Sequence, residues 1–312
     1  MSARNDLIIV NDFHAETIAY LDEHYNSHHL WELEAEEQKK LIESLQGRCR
    51  AAATASWDCN PLLYDLQSLE VISAFGVGVD GIDRERLAAQ SIRLTNTPDV
   101  LNDAVADLAI ALVLATTRNL IPADRFVRQG QWQDGPFPFG TGLAGKTLGI
   151  VGLGRIGEAI AERALPFKLK IAYHNRSRKE VDFEYFDSLK DLAEHADILL
   201  NMLPGGPATS QLIDATILEA LGPEGIFINV GRGSSVDEQA LVSALQTGAI
   251  AGAGLDVYAN EPAVPEALFE LDNVVLLPHI GSATTETRRE MGRLVIGNLE
   301  AFFAGKALIT EV

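Results

Sequence analysis

Three short stretches carry side chains able to move a proton or hold an anion, and each follows an aliphatic run. INVGRGSSVDE (228–238) sets Arg232 between Gly231 and Gly233. A guanidinium flanked by glycines can come close to a ligand and grip a carboxylate or carbonyl oxygen. GLDVYANEPAVPE (254–266) places Asp256 near a strand end and Glu261 in a Pro-rich loop. LLPHIGSAT (276–284) places His279 after Pro278 and before a Gly-Ser turn. A histidine at the mouth of a sheet is a ready proton donor, and a neighbouring carboxylate favours its charged form. A lone Arg is normally surface, and singly Glu261 reads equally well as surface and His279 as a structural group. On successive strand-to-helix loops, they point to acid–base chemistry on an oxygen that gains negative charge.

A fourth stretch, LGIVGLGRIGEAI (148–160), has the G-x-G-x-x-G spacing at Gly152, Gly154 and Gly157. The spacing alone is weak, but here it follows an apolar strand and opens a helix over 156–167. In that setting the glycines provide a tight turn, close approach to a pyrophosphate and close helix–strand packing. The helix N-terminus offers its free N–H groups to the phosphates. A strand that binds NAD usually ends in Asp or Glu, which accepts hydrogen bonds from the adenosine ribose. After Tyr173 and His174 this chain has Asn175, Arg176 and Ser177, with no acid until Glu180. Arg176 can pair with a 2′-phosphate, Ser177 can donate to it, and Arg178 or Lys179 can add charge. The expected cofactor is NADP(H), preferred over NAD(H).

The elements that must position these residues alternate. Candidate strands lie at 7–10, 48–54, 71–76 and 92–96, then at 147–152, 170–174, 197–203, 226–231, 253–258 and 274–279. Apolar runs separated by helices mark strands buried on both faces of a parallel sheet. The fold class is α/β with two Rossmann-like or flavodoxin-like domains, each on a parallel sheet. One helix is expected over 101–129, followed by a Gly-, Pro- and aromatic-rich loop at 130–145. A final helix over 288–303 has no strand to pair with after it and is expected to return to the first domain. The substrate domain is thus discontinuous, 1–98 plus 287–312, around a dinucleotide-binding domain at 99–286.

The bulk numbers narrow the partners. The 312 residues carry a formal charge of −19, with 47% hydrophobic and 22% charged residues. That charge argues against nucleic acid, whose affinity rests on neutralising phosphates. No apolar run is long enough for a membrane span. MSARNDLIIV is too short in apolar run for a secretory signal, and the expected location is the cytoplasm. Cys49 and Cys59 have no metal-type spacing, and no metal is expected.

Taken together, GVGVDGID (76–83), VGLGRIG (151–157), NVGRGSSVDE (229–238), GAGLDVYANEP (252–262) and LLPHIGSAT (276–284) resemble the D-isomer-specific 2-hydroxyacid dehydrogenase family over nearly the whole chain. Within it the sequence is most similar to NADPH-dependent glyoxylate/hydroxypyruvate reductases and plant-type hydroxyphenylpyruvate reductases, partly through NRS at 175–177. The resemblance implies an Arg–Glu–His catalytic set at Arg232, Glu261 and His279. It implies a substrate carboxylate held by Arg232 and by backbone N–H groups around Val77 and Gly78. It also implies cofactor contacts from Gly154, Arg155, Ile156, Thr209, Val230, Gly231 and Gly281, with Asp256 on the nicotinamide amide. Small 2-oxo acids such as glyoxylate and hydroxypyruvate are the implied substrates, with bulky aromatic 2-oxo acids as the alternative. Loops around 55–57, Val77 and 130–140 would set side-chain preference. A homodimer is implied, with Trp132, Phe137 or Phe139 as aromatic residues that could reach a partner's active site. A cofactor-sensing corepressor is the rival from a different class; phosphoglycerate and formate oxidation fit less well.

Overall fold

The computed structural model describes residues 4–55 and 59–312, so positions 56 and 57 of the side-chain-selecting loop lie outside the described residues. The chain divides into two compact units: residues 1–101 with 284–312, and residues 102–283.

In unit 1, β1 (Asp6–Ile9), β2 (Asn26–His29), β3 (Ala51–Ala55), β4 (Val71–Phe75) and β5 (Arg93–Thr95) form a parallel sheet in the order β2-β1-β3-β4-β5. This is the flavodoxin-like order, whose switch point lies between β1 and β3. The helices are α1 (Ala15–His24), α2 (Ala35–Ser44), α3 (Arg84–Gln90) and a C-terminal helix over Thr285–Phe303. That last helix packs on β4 and α1. β2 escapes a hydrophobicity pattern because its residues are Asn, Ser, His and His; it is an edge strand, and pairing with β1 holds it. The chain's last residues do find a strand. Thr95 and Glu311 form an antiparallel bridge, Val312 N–H donates to Leu94 O at 2.9 Å, and Arg93 grips Glu311 bidentately at 2.7 and 2.8 Å.

Unit 2 holds β6 (Thr147–Val151), β7 (Lys170–His174), β8 (Glu184–Tyr185), β9 (Ile198–Asn201), β10 (Ile226–Asn229), β11 (Gly252–Leu255) and β12 (Val274–Leu276). Their order is β12-β11-β10-β9-β6-β7-β8, all parallel. This is the doubly wound dinucleotide-binding order with one extra strand, and its direction reverses between β6 and β9. Apolar clusters cover both faces, one around Ile150, Leu200 and Ile228 and the other around Leu199, Phe227 and Leu255.

The helix expected over 101–129 is two helices, α4 (Asn102–Thr117) and α5 (Leu120–Arg128), bent by 60°. Asn119 sits at the break with φ 51°, and Pro122 falls in the first turn of α5. A continuous helix would set the proline ring against the carbonyl four residues back and lose an N–H donor. Pro166 likewise ends α6 (Arg155–Ala164), after which Leu165–Phe167 tighten into a 3-10 turn. The remaining helices of the unit are α7 (Leu189–His195), α8 (Ala215–Leu221) and α9 (Glu238–Thr247); the C-terminal helix of unit 1 is therefore α10. No single helix among the described residues is long and apolar enough to cross a membrane.

Candidate active site

Because every pairing in unit 2 is parallel, the loops leaving β6, β7, β9, β10, β11 and β12 emerge on one edge of its sheet. Open α/β sheets bind ligands at that carboxyl edge. The candidate residues of unit 2 lie on these loops or, for Arg155, Ile156 and Gly157, in the first turn of the helix over Arg155–Ala164, while Val77 and Gly78 follow β4 in unit 1.

The turn after β6 depends on its glycines for different reasons. Gly152 has φ +96°, and a Cβ there would come within 2.9 Å of Met202 O. At Gly157 a Cβ would meet Gly152 O at 2.8 Å, so α6 can approach the sheet only without one. Around Gly154, by contrast, an added Cβ would meet nothing within 4 Å. The protein's own packing does not require glycine there; a ligand pressed against the backbone does. No side chain among the described residues caps the α6 N-terminus, so its leading N–H groups and positive dipole end suit an anion. Arg155 is exposed and Ile156 packs partly into the core. These features fit a dinucleotide pyrophosphate.

Beyond β7 the basic stretch divides. Arg176 and Ser177 are exposed, and Arg176 has no ion pair among the described residues. Lys179 is not available as added charge, because Glu158 of α6 engages its ammonium group. Asn175 braces the glycine turn rather than pointing outward: Leu153 N–H donates to its Oδ1 at 2.7 Å, and its Nδ2 donates to Leu153 O at 3.1 Å. Thr209 also turns inward, its hydroxyl within 2.7 Å of Pro204 O and 3.1 Å of Gly206 O.

The loop after β10 is held by a network that the sequence reading missed. Asn201 and Asn229 end β9 and β10 in register. Asn201 Nδ2 donates to Asn229 Oδ1 (2.9 Å) and to Ser235 Oγ (2.7 Å). Ser235 Oγ and Asn229 Nδ2 then both donate to Arg232 O, at 2.6 and 3.3 Å. All three residues are buried, so each bond is made away from water and fixes the Arg232 backbone. The available signal was an asparagine closing each of two adjacent apolar runs. Val230 N–H donates to Asn201 O and Gly231 N–H to Asn229 Oδ1, so both also belong to this scaffold. Gly233 packs flat on the Tyr258–Ala259 backbone, where any Cβ would overlap Tyr258 atoms. That contact ties the Arg232 loop to the loop bearing Glu261.

There, Glu261 Oε2 lies 2.6 Å from His279 Nδ1, and Oε1 accepts from Tyr258 N–H at 3.0 Å. Burial acts to raise the Glu261 carboxyl. The His279 and Tyr258 hydrogen bonds, with the positive charges of His279 and Arg232, outweigh it and hold the group below the usual carboxylate range. An ionised carboxylate only accepts, so Nδ1 carries the proton of this bond and Nε2 is the nitrogen left for a ligand. His279 has φ 53°, a left-handed conformation that costs a non-glycine residue about 1–2 kcal/mol. Asp256 holds it there: His279 N–H donates to Asp256 O at 2.9 Å, and the Ile280 and Gly281 N–H groups donate to the two carboxylate oxygens, each at 2.8 Å. Burial pushes the Asp256 carboxyl up despite those donors. Asp256 is 2% exposed and braces the histidine turn.

In unit 1, Gly76 N–H donates to Thr97 Oγ1 (3.1 Å), and Asn96 Nδ2 donates to Val77 O (2.9 Å). The N–H groups of Val77 and Gly78 make no hydrogen bond among the described residues, as an anion-holding turn requires.

Residues 110–281 match the family model for the D-isomer specific 2-hydroxyacid dehydrogenase, NAD binding domain. The chain is 47% identical over 296 residues to a glyoxylate/hydroxypyruvate reductase A of Arabidopsis thaliana, covering 94% of each. It is 49% identical over 276 residues to a hydroxyphenylpyruvate reductase of Plectranthus scutellarioides, covering 88% of this chain and 87% of that one. Among solved structures, the NADPH-dependent glyoxylate/hydroxypyruvate reductase of Sinorhizobium meliloti, in complex with NADP and malonate, superposes with a TM-score of 0.91 at 43% identity. That match covers 99% of this chain and 97% of the other.

Proposed function

The chain belongs to the D-isomer specific 2-hydroxyacid dehydrogenase family, and from that premise we propose that it reduces small 2-oxo acids, glyoxylate and hydroxypyruvate first, to their (D)-2-hydroxy acids with NADPH. The observation that carries this reading is the 2.6 Å His279–Glu261 pair on the same sheet edge as the glycine turn. When bound, the nicotinamide cofactor supplies the hydride that the keto carbon accepts. His279 donates its Nε2 proton to the carbonyl oxygen and is left as neutral imidazole. Glu261 keeps the ring oriented through its bond to Nδ1. Arg232 faces the same oxygen with a fixed positive charge, which matters most as negative charge develops there.

The preference for NADPH rests on Arg176, exposed and without an ion pair among the described residues, where an NAD-binding strand would place an acid. Its support is the Sinorhizobium meliloti relative, solved with NADP. A second reading, reduction of bulkier aromatic 2-oxo acids, is favoured by the similarity to the Plectranthus scutellarioides enzyme. We also propose a homodimer. α5 has no buried residue, and it exposes Leu120, Ile121 and Val127 beside a loop with Trp132 and Phe139 exposed. Phe137 folds back on Phe126 of α5, its ring centroid 5.3 Å away, so helix and loop form one face.

The test is a panel of glyoxylate, hydroxypyruvate and phenylpyruvate with NADPH and NADH, on wild type and His279→Ala. The variant should lose about 10²–10⁴ in turnover. Near-normal reduction by the variant removes His279 as proton donor, and wild-type inertness toward every acid removes the reductase reading.

A further inference from the structure

The carboxyl edge of the unit 1 sheet carries a cation that has no ion-pair partner among the described residues. Arg288, in the first turn of α10, lays its guanidinium over the ring of Phe75, with Cζ 5.5 Å from the ring centroid. Its neighbours are paired: Arg289 holds Glu16 at 2.8 and 2.9 Å, and Arg293 holds Glu290. Arg288 is half-buried and has no ion pair among the described residues. A desolvated, unpaired guanidinium is costly unless something anionic joins it. Burial accordingly pulls it below the ordinary arginine value.

Phe75 fixes where this charge sits. Its ring is packed by Phe13, with centroids 5.0 Å apart, and stacked by His14 at 5.7 Å. It is the last residue of β4, so the chain runs from the ring under Arg288 straight into Gly76, Val77 and Gly78. The carbonyls of Gly76 and Val77 are tied to Thr97 and Asn96, while the Val77 and Gly78 N–H groups make no hydrogen bond among the described residues.

We infer that Arg288 is the charged partner of the substrate carboxylate, completing an anion site with the 76–78 turn. This deepens the proposed reduction of 2-oxo acids and rests on it for the identity of the anion. A carboxylate keeps its charge from ground state to transition state, so Arg288 binds both equally. Its loss raises KM and spares kcat, the opposite of an effect at the reacting oxygen.

The experiment compares wild type, Arg288→Gln and Arg288→Lys in NADPH-dependent reduction of glyoxylate and of methyl glyoxylate. Oxalate binding to the NADPH-loaded proteins is measured by calorimetry. Arg288→Gln should raise the glyoxylate KM about ten- to a hundredfold, the worth of one charge-assisted bond. It should leave kcat within about threefold, lose the wild type's preference for acid over ester, and weaken oxalate by the same factor as KM. Arg288→Lys should fall between, since charge survives and the planar fork does not. An unchanged KM and oxalate affinity, or an equal loss for acid and ester, overturns the inference. Should wild type reduce no 2-oxo acid while oxalate still needs Arg288, the reductase reading falls and the anion site stands.

Discussion

At the residue scale, two carboxylates on the loop after β11 are driven in opposite directions. Glu261 is held below the usual carboxylate range and Asp256 above it. A carboxyl depressed by folding adds stability above its unfolded pKa and loses it as pH falls through the folded value. The melting-temperature gap between wild type and Glu261→Gln should therefore be full at pH 7 and close as pH drops below the ordinary carboxylate value. Scanning calorimetry from pH 7 to pH 3 reads this directly, and a constant gap removes the ion pair. For Asp256 the sign reverses: a raised carboxyl favours the fold below its unfolded pKa, and that contribution is lost as pH rises through the folded value. Arg176→Ala should lower the NADPH-over-NADH preference about ten- to a hundredfold, as one charge-assisted bond is lost. Steady-state kinetics with both cofactors would expose an unchanged ratio.

At the element scale, the two kinds of glycine in the site behave differently. Gly154→Ala should fold and melt like wild type, because open space surrounds the new methyl, yet bind NADPH far more weakly. Gly233→Ala should be destabilised, because the methyl overlaps the Tyr258 backbone. Thermal melts with and without NADPH distinguish the two; equal destabilisation of both variants would deny Gly154 its ligand-facing role. These elements also mark what could be read in advance. Strand-end residues with chemical side chains, Arg232, Glu261 and His279, were legible because parallel strands deliver every following loop to one edge. β2 and β8 were not, since Asn-Ser-His-His and Glu-Tyr lack an apolar period and are held by neighbours. The break at Asn119 was signalled by Pro122 but outweighed by a long apolar period. The pairing of Lys179 with Glu158 was not legible either, because a sequence shows a side chain's charge and not the partner that occupies it.

At the scale of the whole molecule, the chain enters unit 2 at residue 102 and leaves it at 283, so the cofactor unit is one uninterrupted segment while unit 1 is closed by α10 and the last residues. Light scattering should give about twice the 33.8 kDa chain mass, and Val127→Asp, which puts a charge on the exposed face of α5, should give a monomer. A monomeric wild type at micromolar concentration would leave that apolar face without the partner proposed for it.

The left-handed backbone at His279 has a consequence for breeding this protein toward heat tolerance. Glycine occupies that conformation freely, whereas alanine keeps the Cβ conflict, so His279→Gly should outlast His279→Ala by roughly 1 kcal/mol, though neither retains the proton donor. A screen rewarding ruggedness alone would therefore tend to favour glycine over alanine at this position in chemically silent variants. Only a screen that also demands turnover would keep the imidazole in place.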